Sequence, residues 1–348
     1  MSKLPSYIHF TSEPSKVLAE VIEELEPDKI AVLVDENTRE HCLPRIEFLE
    51  GAAVIEIRSG EREKNLSTCD TIWTEMTSQK FTRKSVLINL GGGVIGDMGG
   101  FAASTYKRGI RFINMPTTLL SQVDASIGGK LGIDFKGLKN HIGVFNDPNA
   151  VILWDGFLET LSSRELRSGY AEVIKHGLIW DQEYWQRTVD ADFPEKVDWP
   201  YLLRRSVEIK GEVVNEDPLE KGLRKILNFG HTIGHAVETW HLESGRDILH
   251  GEAVAAGMIM EAKLSELLRM LPSEQTDNLA QYLVNIYGKI QELPTNEELF
   301  ELMAQDKKNE GTNIMFSLIN QIGECTYDTA ASEGQISSAI AYYRDFPK

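Results

Sequence analysis

The sequence predicts an α/β N-terminal domain over residues 1–160 and a mainly α-helical C-terminal domain over residues 161–348. Three observations predict it. The 348-residue length is that of roughly two domains. The first part alternates short apolar runs with helical patterns, which suits a parallel sheet buried on both faces. From about Leu158 onward the periodicity is helical.

The elements follow in order. Lys29–Asp35, Ala53–Arg58, Ser85–Leu90, Arg111–Met115 and Val151–Trp154 are short, largely apolar runs that read as strands. Farther on, Val254, Met258 and Ala262 recur at i, i+4, i+8, and Leu279, Leu283 and Ile286 at i, i+4, i+7. Each set defines one face of a helix. The boundary falls near residues 155–170. No repeat or low-complexity linker separates the parts. Two closely packed domains are therefore expected, with a cleft between them as the natural place for a site.

Hydrophobic residues make up 42% and charged residues 26%, which excludes wholesale disorder. With 36 Lys+Arg against 53 Asp+Glu, the net charge is −17. That balance argues against nucleic acid or an anionic membrane as the partner, since both attract positive surfaces. A small anionic ligand needs only a local basic pocket. Cys42, Cys69 and Cys325 are few, odd in number and far apart, as expected of free thiols in a reducing compartment. The start, MSKLPSYIHF, lacks a signal-peptide core, and no apolar run is long enough to span a bilayer. A soluble cytoplasmic protein is expected.

Leu90 is followed by Gly91-Gly-Gly-Val-Ile-Gly-Asp97, and Gly91-x-Gly93-x-x-Gly96 has the spacing of a dinucleotide fingerprint. A side chain there would hold the backbone away from a pyrophosphate. Met98–Thr105 reads as a helix whose N-terminal N–H groups can face phosphates. A plain strand–helix turn is the alternative. The flanking strand and helix favour a nucleotide, and make the domain Rossmann-like. One part of the fingerprint is missing, because Arg111 stands about where an acid should read the ribose. Asp35 and Glu61 are the substitute candidates, or else solvated surface acids.

Residues 105–140 hold six cations (Lys107, Arg108, Arg111, Lys130, Lys136, Lys139) against Asp124 and Asp134, a local +4 that leaves −21 elsewhere. Pro116-Thr-Thr118 and Gly128-Gly-Lys130 lie in this stretch. Glycines beside lysine, with hydroxyls near, suit a phosphate or carboxylate. A solvated basic face would not need such turns.

His231, His235 and Glu238 stand at i, i+4, i+7, on one helix face. His250-Gly-Glu252 opens a later helix, and Glu172-Val-Ile-Lys175-His176 lies upstream. Imidazoles and a carboxylate from several helices suit a divalent metal such as zinc. Spacing alone leaves open whether His231 and His235 both bind it.

As a set, these motifs resemble the 3-dehydroquinate synthase family. The resemblance rests on Gly91–Asp97, Pro116–Leu120, Val123–Lys130, Tyr170–Lys175, Asn228–His235, Leu249–Glu252 and Asp306–Lys308, in order, from about residue 30 to 325. It implies an NAD-binding α/β domain, a helical metal-binding domain, a homodimer and a place in the shikimate pathway. It assigns Glu172, His231 and His250 to zinc (or cobalt), which leaves His235 near the substrate. It also places Asp124, Lys130, Asn140, Lys175, Lys210, Arg224 and Asn228 around the substrate, with Arg108 reaching a partner subunit's site. Lys130 and Asn140 fall to its phosphate, Lys210 and Arg224 to its carboxylate. One of Lys307 and Lys308 faces the substrate too. For NAD it points to Asp35, Glu61, Lys64, Gly93, Val94, Ile95, Gly96, Asp97, Thr117, Thr118, Lys130, Lys139, Phe157, Leu158, Glu159 and Thr160.

The implied substrate is 3-deoxy-D-arabino-heptulosonate 7-phosphate. Transient oxidation by NAD would acidify the neighbouring C–H; phosphate elimination, re-reduction and aldol closure would follow. Two alternatives share the fold: another sugar phosphate cyclase, and a metal-dependent polyol dehydrogenase of the glycerol dehydrogenase type. Asn228 and His235 favour the dehydroquinate reaction over the first, and the joint set of Lys130, Asn140, Lys175, Lys210 and Arg224 argues against a neutral polyol.

Overall fold

A computed structural model describes residues 4–136, 138–191, 193–304 and 314–347. The chain divides into two compact units, one ending at Ser162 and the other beginning at Ser163.

The first unit contains β1 (Ile8–Phe10), α1 (Pro14–Leu25), β2 (Ile30–Asp35), α2 (Glu36–His41), β3 (Ala53–Ile57), α3 (Leu66–Ser78), β4 (Val86–Gly91), α4 (Gly93–Thr105), β5 (Arg111–Pro116), β6 (Lys130–Phe135), β7 (Leu138–Phe145) and β8 (Ala150–Leu153). Six strands form one parallel sheet in the order β1-β8-β5-β4-β2-β3. Side-chain alternation splits its core in two. Ala31, Leu33 and Leu87 pack on one face with Ile72 of α3 and Met98 of α4. Val32, Val34, Val86 and Ile88 pack on the other with Leu18 of α1. This is why β2 and β4 read as nearly unbroken apolar runs.

From β2 the chain steps outward to β3, then returns across β2 to β4. The strand order reverses between β2 and β4, and ligands of such sheets sit outside the carboxyl ends at that point. Asp35 ends β2 and Gly91 ends β4.

All five expected strands belong to this sheet. Two features were not legible. β1 has only three residues. The antiparallel β6–β7 hairpin, read in the sequence only as an anion-binding turn, has almost every β7 residue exposed, and polar residues and a glycine interrupt its apolar ones. Helix α4 begins at Gly93, inside the glycine turn and ahead of the expected Met98. Packing outweighs glycine's poor helix propensity here: a Cβ on Gly99 would lie 2.0 Å from Asn89 Oδ1 and 2.8 Å from Leu33 Cδ2.

The second unit contains α5 (Ser163–Trp180), α6 (Gln182–Asp190), α7 (Trp199–Glu216), α8 (His231–Glu243), α9 (His250–Leu267), α10 (Ser273–Tyr287), α11 (Asn296–Ala304), β9 (Ile314–Gln321), β10 (Glu324–Ala331) and α12 (Glu333–Asp345). Helix α9 is apolar nearly all round and buried along its length, as a central helix must be. It meets α8 with almost no side chain between them: a Cβ on Gly257 would lie 2.0 Å from Gly230 O, and one on Gly234 3.1 Å from Ala253 O. The β9–β10 hairpin is an addition to the expected helices. Among the described residues no helix is long and apolar enough to cross a membrane.

Gly99→Ala should destabilise the fold by about 1–3 kcal/mol through overpacking. Gly96→Ala meets nothing within 4 Å, and should leave stability unchanged or raise it by up to about 1 kcal/mol. Urea midpoints check the contrast; equal shifts in the two variants would refute it.

Candidate active site

In the first unit, Gly91 closes β4 opposite Pro116 of β5, and Thr117 N donates to Gly91 O at 3.0 Å. Gly92 is the N-cap of α4 and supplies no side chain to cap it. The first-turn N–H groups therefore lack a side-chain acceptor, as an anion site requires. None of Gly91, Gly92, Gly93 and Gly96 has positive φ, so conformational freedom does not explain them. Close packing explains Gly91, whose Cβ would meet Ile95 at 2.5 Å, and Gly92, whose Cβ would meet Thr118 at 3.1 Å. A Cβ on Gly93 would make only ordinary contact, and one on Gly96 none. Protein packing thus does not demand glycine at 93 or 96, whereas close approach of a ligand would. A narrow crevice lined by Asn89, Gly91–Gly93, Gly96, Asn114 and Ser126 opens at this turn.

Several candidates converge beside it. Lys64 is buried, with its ammonium 2.6 Å from Asp97 Oδ2, 2.6 Å from Asn140 Oδ1 and 3.9 Å from Glu61 Oε1. Burial works against its charge, but Asp97 and Glu61 more than offset this and raise its pKa. Asn140 adopts a left-handed backbone, and its N–H donates to Asp134 Oδ1 at 2.7 Å. Asp35 caps α2, accepting from Thr38 N at 2.8 Å and Thr38 Oγ1 at 3.0 Å. Thr118 Oγ1 donates to Ser121 Oγ at 2.8 Å and sets the turn after β5.

Other candidates lie farther from solvent or are scattered. Ile95 and Phe157 are core residues, and Val94 packs against the core. Leu158 is buried, Glu159 pairs with Arg45 at 3.0 Å, and Thr160 Oγ1 donates to Phe157 O at 2.7 Å. Any ligand contact by Phe157 would have to use its backbone. Lys130 and Lys139 lie exposed on the β6–β7 hairpin, Asp124 is in the turn Ser121–Ala125, and Arg108 is exposed with φ of 70°. Arg111, counted in the basic island, binds the carbonyls of Leu25 and Lys84, a structural use of its charge.

In the second unit, α5, α8 and α9 bring Glu172, His231 and His250 together. Glu172 is fully buried, and neither carboxylate oxygen receives a well-formed hydrogen bond. Its Oε1 faces His231 Nε2 at 3.3 Å and His250 Nε2 at 3.5 Å. Its Oε2 meets the ammonium of buried Lys175, one turn along α5. His231 Nδ1 donates to Phe229 O at 3.1 Å, and His250 Nδ1 lies 3.4 Å from Glu238 Oε2. With Nδ1 engaged as a donor, the neutral ring carries a lone pair at Nε2. Two lone pairs aimed at a carboxylate repel unless a proton or cation lies among them. Tetrahedral bonds of about 2.1 Å place ligand atoms about 3.4 Å apart, and the two separations from Glu172 Oε1 match this. The engaged Nδ1 atoms have the outer-shell partners expected of metal-bound histidines.

The electrostatics agree. Burial raises the Glu172 pKa, but Lys175 and His231 reverse this and hold it well below the carboxylate range. Burial and the nearby Lys175 charge lower the His231 pKa despite Glu172. At His250 burial is overcome by the hydrogen bonds to Glu172 and Glu238, and the pKa rises to about 10. The ligand atoms of His231, His235 and His250 also lie within 4.8 Å of one another. That looser trio keeps alive the spacing-based alternative.

Lys210 is buried on α7, and Arg224 is buried in the turn Leu223–Asn228 that leads to α8. Arg224 Nη1 donates to Pro218 O at 2.8 Å, and Asn228 Nδ2 donates to Glu220 Oε1 at 2.9 Å. A separate cavity of about 430 Å³ in this unit is lined by residues such as His241, Ile259 and Tyr287. Its lining takes in Glu252 but none of the residues assigned to NAD, metal or substrate. Asp306, Lys307 and Lys308 fall outside the described residues.

The chain matches the 3-dehydroquinate synthase N-terminal family over residues 54–168 and the C-terminal family over residues 169–309. It is 41% identical over 335 residues to the 3-dehydroquinate synthase of Parabacteroides distasonis, covering 94% of this chain and 95% of that one. The chain belongs to the 3-dehydroquinate synthase family. A further family member, from a Sulfurovum species, is 46% identical over 277 residues, 78% of this chain and 77% of its own. Membership makes this chain an enzyme, a carbon–oxygen lyase. Among solved structures, 2-deoxy-scyllo-inosose synthase complexed with carbaglucose-6-phosphate, NAD+ and Co2+ aligns with TM-score 0.85 at 25% identity, over 98% of this chain and 99% of that one. The 2-epi-5-epi-valiolone synthase ValA from Streptomyces hygroscopicus, with NAD+ and Zn2+ bound, aligns with TM-score 0.87 at 24% identity, over 99% and 98% of the two chains.

Within this family fold, the sequence reading missed the groups that orient the ligands. Glu238 was noticed only as sharing a face with the histidines. Glu261 was overlooked, although a lone acid in the run Met258-Ile-Met-Glu-Ala262 signals a buried carboxylate with a partner. Adding Zn2+ or Co2+ to metal-free protein at pH 7.5 should release about one proton, because the cation displaces the one on His250. A pH-indicator titration in weak buffer checks this; metal uptake without proton release would contradict it.

Proposed function

We propose that this chain converts 3-deoxy-D-arabino-heptulosonate 7-phosphate into 3-dehydroquinate and phosphate, with NAD and a divalent metal, zinc or cobalt, as resident cofactors. The observation that carries the reading is the buried Glu172 carboxylate faced by two histidine Nε2 atoms, in a chain of this family. Related cyclases solved with NAD+ and Zn2+ or Co2+ support the cofactors. When bound, NAD supplies a reversible hydride acceptor and the metal a Lewis acid on the alcohol being oxidised.

The chain's own residues do the rest. Glu172, His231 and His250 hold the cation, and Phe229 O and Glu238 fix the two rings. The backbone from Gly92 to Gly96 cradles the dinucleotide pyrophosphate, and the Lys64–Asp97 pair stiffens that turn. Lys130 and Asn140 bind the substrate phosphate; Lys210 and Arg224 bind its carboxylate. Asp124, Lys175, Asn228 and His235 position the groups between. Fixing both anionic ends aligns the C–H and C–O bonds broken in the elimination. The proton lost from carbon leaves with the departing phosphate, the ketone made at the start would be reduced back to the alcohol, and the aldol closure is itself redox-neutral, so turnover has no net redox change.

A homodimer accompanies this reading. Among the described residues β7 pairs only with β6, and it carries exposed Leu138, Ile142 and Phe145. A long apolar edge strand of this kind is covered by another copy or aggregates. Arg108 would then serve the partner subunit's site. Buried, free Cys42 and Cys69 support a reducing, cytoplasmic setting.

Incubation with the heptulosonate phosphate, catalytic NAD and zinc should yield equal phosphate and dehydroquinate without net NADH. Accumulating NADH would instead indicate a polyol dehydrogenase. Lys130→Ala should weaken substrate binding and slow phosphate release far more than it changes NAD affinity; unchanged elimination kinetics would count against the assignment. Ile142→Lys with Phe145→Lys should convert the dimer to monomer in sedimentation, and an unshifted mass would remove β7 from the interface.

A further inference from the structure

We propose that Glu261 is a positioning residue for His231, acting through the peptide between Phe229 and Gly230. The inference rests on the metal reading above and extends it to a residue outside the ligand set.

Glu261 lies in α9 and is fully buried. Its Oε2 accepts from Gly230 N at 2.6 Å and its Oε1 from Ile233 N at 3.0 Å. Both donors belong to the N-terminal turn of α8, the helix that His231 opens. That helix has no side-chain cap of its own, because its N-cap is Gly230, with φ of 81°. The missing cap is supplied by the neighbouring helix. An acid suits the place, since the N-terminus is the positive end of the helix dipole and a charged acceptor makes the stronger bond.

The link to His231 is a single peptide plane. Gly230 N–H and Phe229 C=O belong to the same peptide group and point in opposite directions. Glu261 holds the N–H side. The C=O side accepts from His231 Nδ1 at 3.1 Å, which turns Nε2 toward Glu172. A carboxylate on the N–H polarises the peptide and makes its oxygen a better acceptor. Both the orientation of the ring and the basicity of Nε2 therefore depend on Glu261. The geometry leaves little slack. A Cβ on Gly230 would meet Met258 Cγ at 2.5 Å, and one on Gly257 would meet Gly230 O at 2.0 Å. The left-handed glycine and the helix crossing thus bring this peptide within reach of Glu261.

The test uses the full-length chain loaded with Co2+, comparing wild type with Glu261→Gln and Glu261→Asp. Glutamine keeps the shape but turns an NH2 donor toward one of the two N–H groups. Aspartate keeps the charge but is one methylene short. Wild type should bind Co2+ with the absorption of a low-symmetry site. Glu261→Gln should bind it about 10- to 100-fold more weakly, with a shifted visible spectrum and unchanged NAD affinity; Glu261→Asp should fall between. Wild-type affinity and spectrum in a folded Glu261→Gln would overturn the proposal. A wild-type chain that binds no divalent metal would instead overturn the metal reading beneath it. If neither variant folds, NMR of the wild type decides. Strongly downfield amide protons at Gly230 and Ile233 are expected for charged acceptors, and ordinary shifts at both would refute the relay.

Discussion

A fully buried carboxylate faced by one ammonium and two imidazoles is the constraint on which the second unit depends. Glu172 cannot stay ionised in that setting without positive charge beside it. Lys175 supplies one charge from the same helix, and two imidazoles are aimed at the other oxygen. Both imidazoles are held in turn by a second partner. His250 leans on Glu238, and His231 leans on the Phe229 carbonyl.

The helix ends carry this precision. Each ligand lies at or near a tethered turn. Gly251 N donates to Ser168 Oγ at 3.0 Å, joining the start of α9 to α5 one turn before Glu172. Arg164 of α5 grips Glu252 with bonds of 2.7 and 2.8 Å, while Glu252 also accepts from Leu249 N at 2.9 Å. Glycines at the α8–α9 crossing let the two backbones approach without a side chain between them. A site held at several points by short polar bonds is preorganised, and so loses little freedom when it takes up its ligand. The first unit applies the same economy at its glycine turn. There the backbone offers N–H groups, and buried Lys64 pairs with Asp97 near the start of α4.

Much of this was legible in the sequence because it follows from local periodicity. The apolar runs of β2 and β4, the spacing of the glycines and the i, i+4 histidines each depend on neighbours in the chain. What escaped depends on long-range pairing. β7 is exposed, and its apolar Leu138, Ile142, Val144 and Phe145 do not form the continuous run that marks a buried strand. The ligand role proposed for Glu172 was available only through family resemblance, since nothing within its own helix distinguishes it from its neighbours Lys175 and His176. Spacing drew His235 toward the metal because it shares a helix face with His231. Between the tight Glu172 set and the looser histidine trio, the approach of Nε2 of His231 and His250 to Glu172 Oε1, at 3.3 and 3.5 Å, favours the first. Arg111 shows the opposite error of counting charge without geometry, for its guanidinium is consumed by backbone carbonyls.

X-ray absorption fine structure and anomalous diffraction on the Co2+- or Zn2+-loaded protein test the central claim most directly. The account predicts one cation bound by a Glu172 oxygen and by Nε2 of His231 and His250, with His235 outside bonding distance. A cation held by His231, His235 and His250 with Glu172 remote would contradict it.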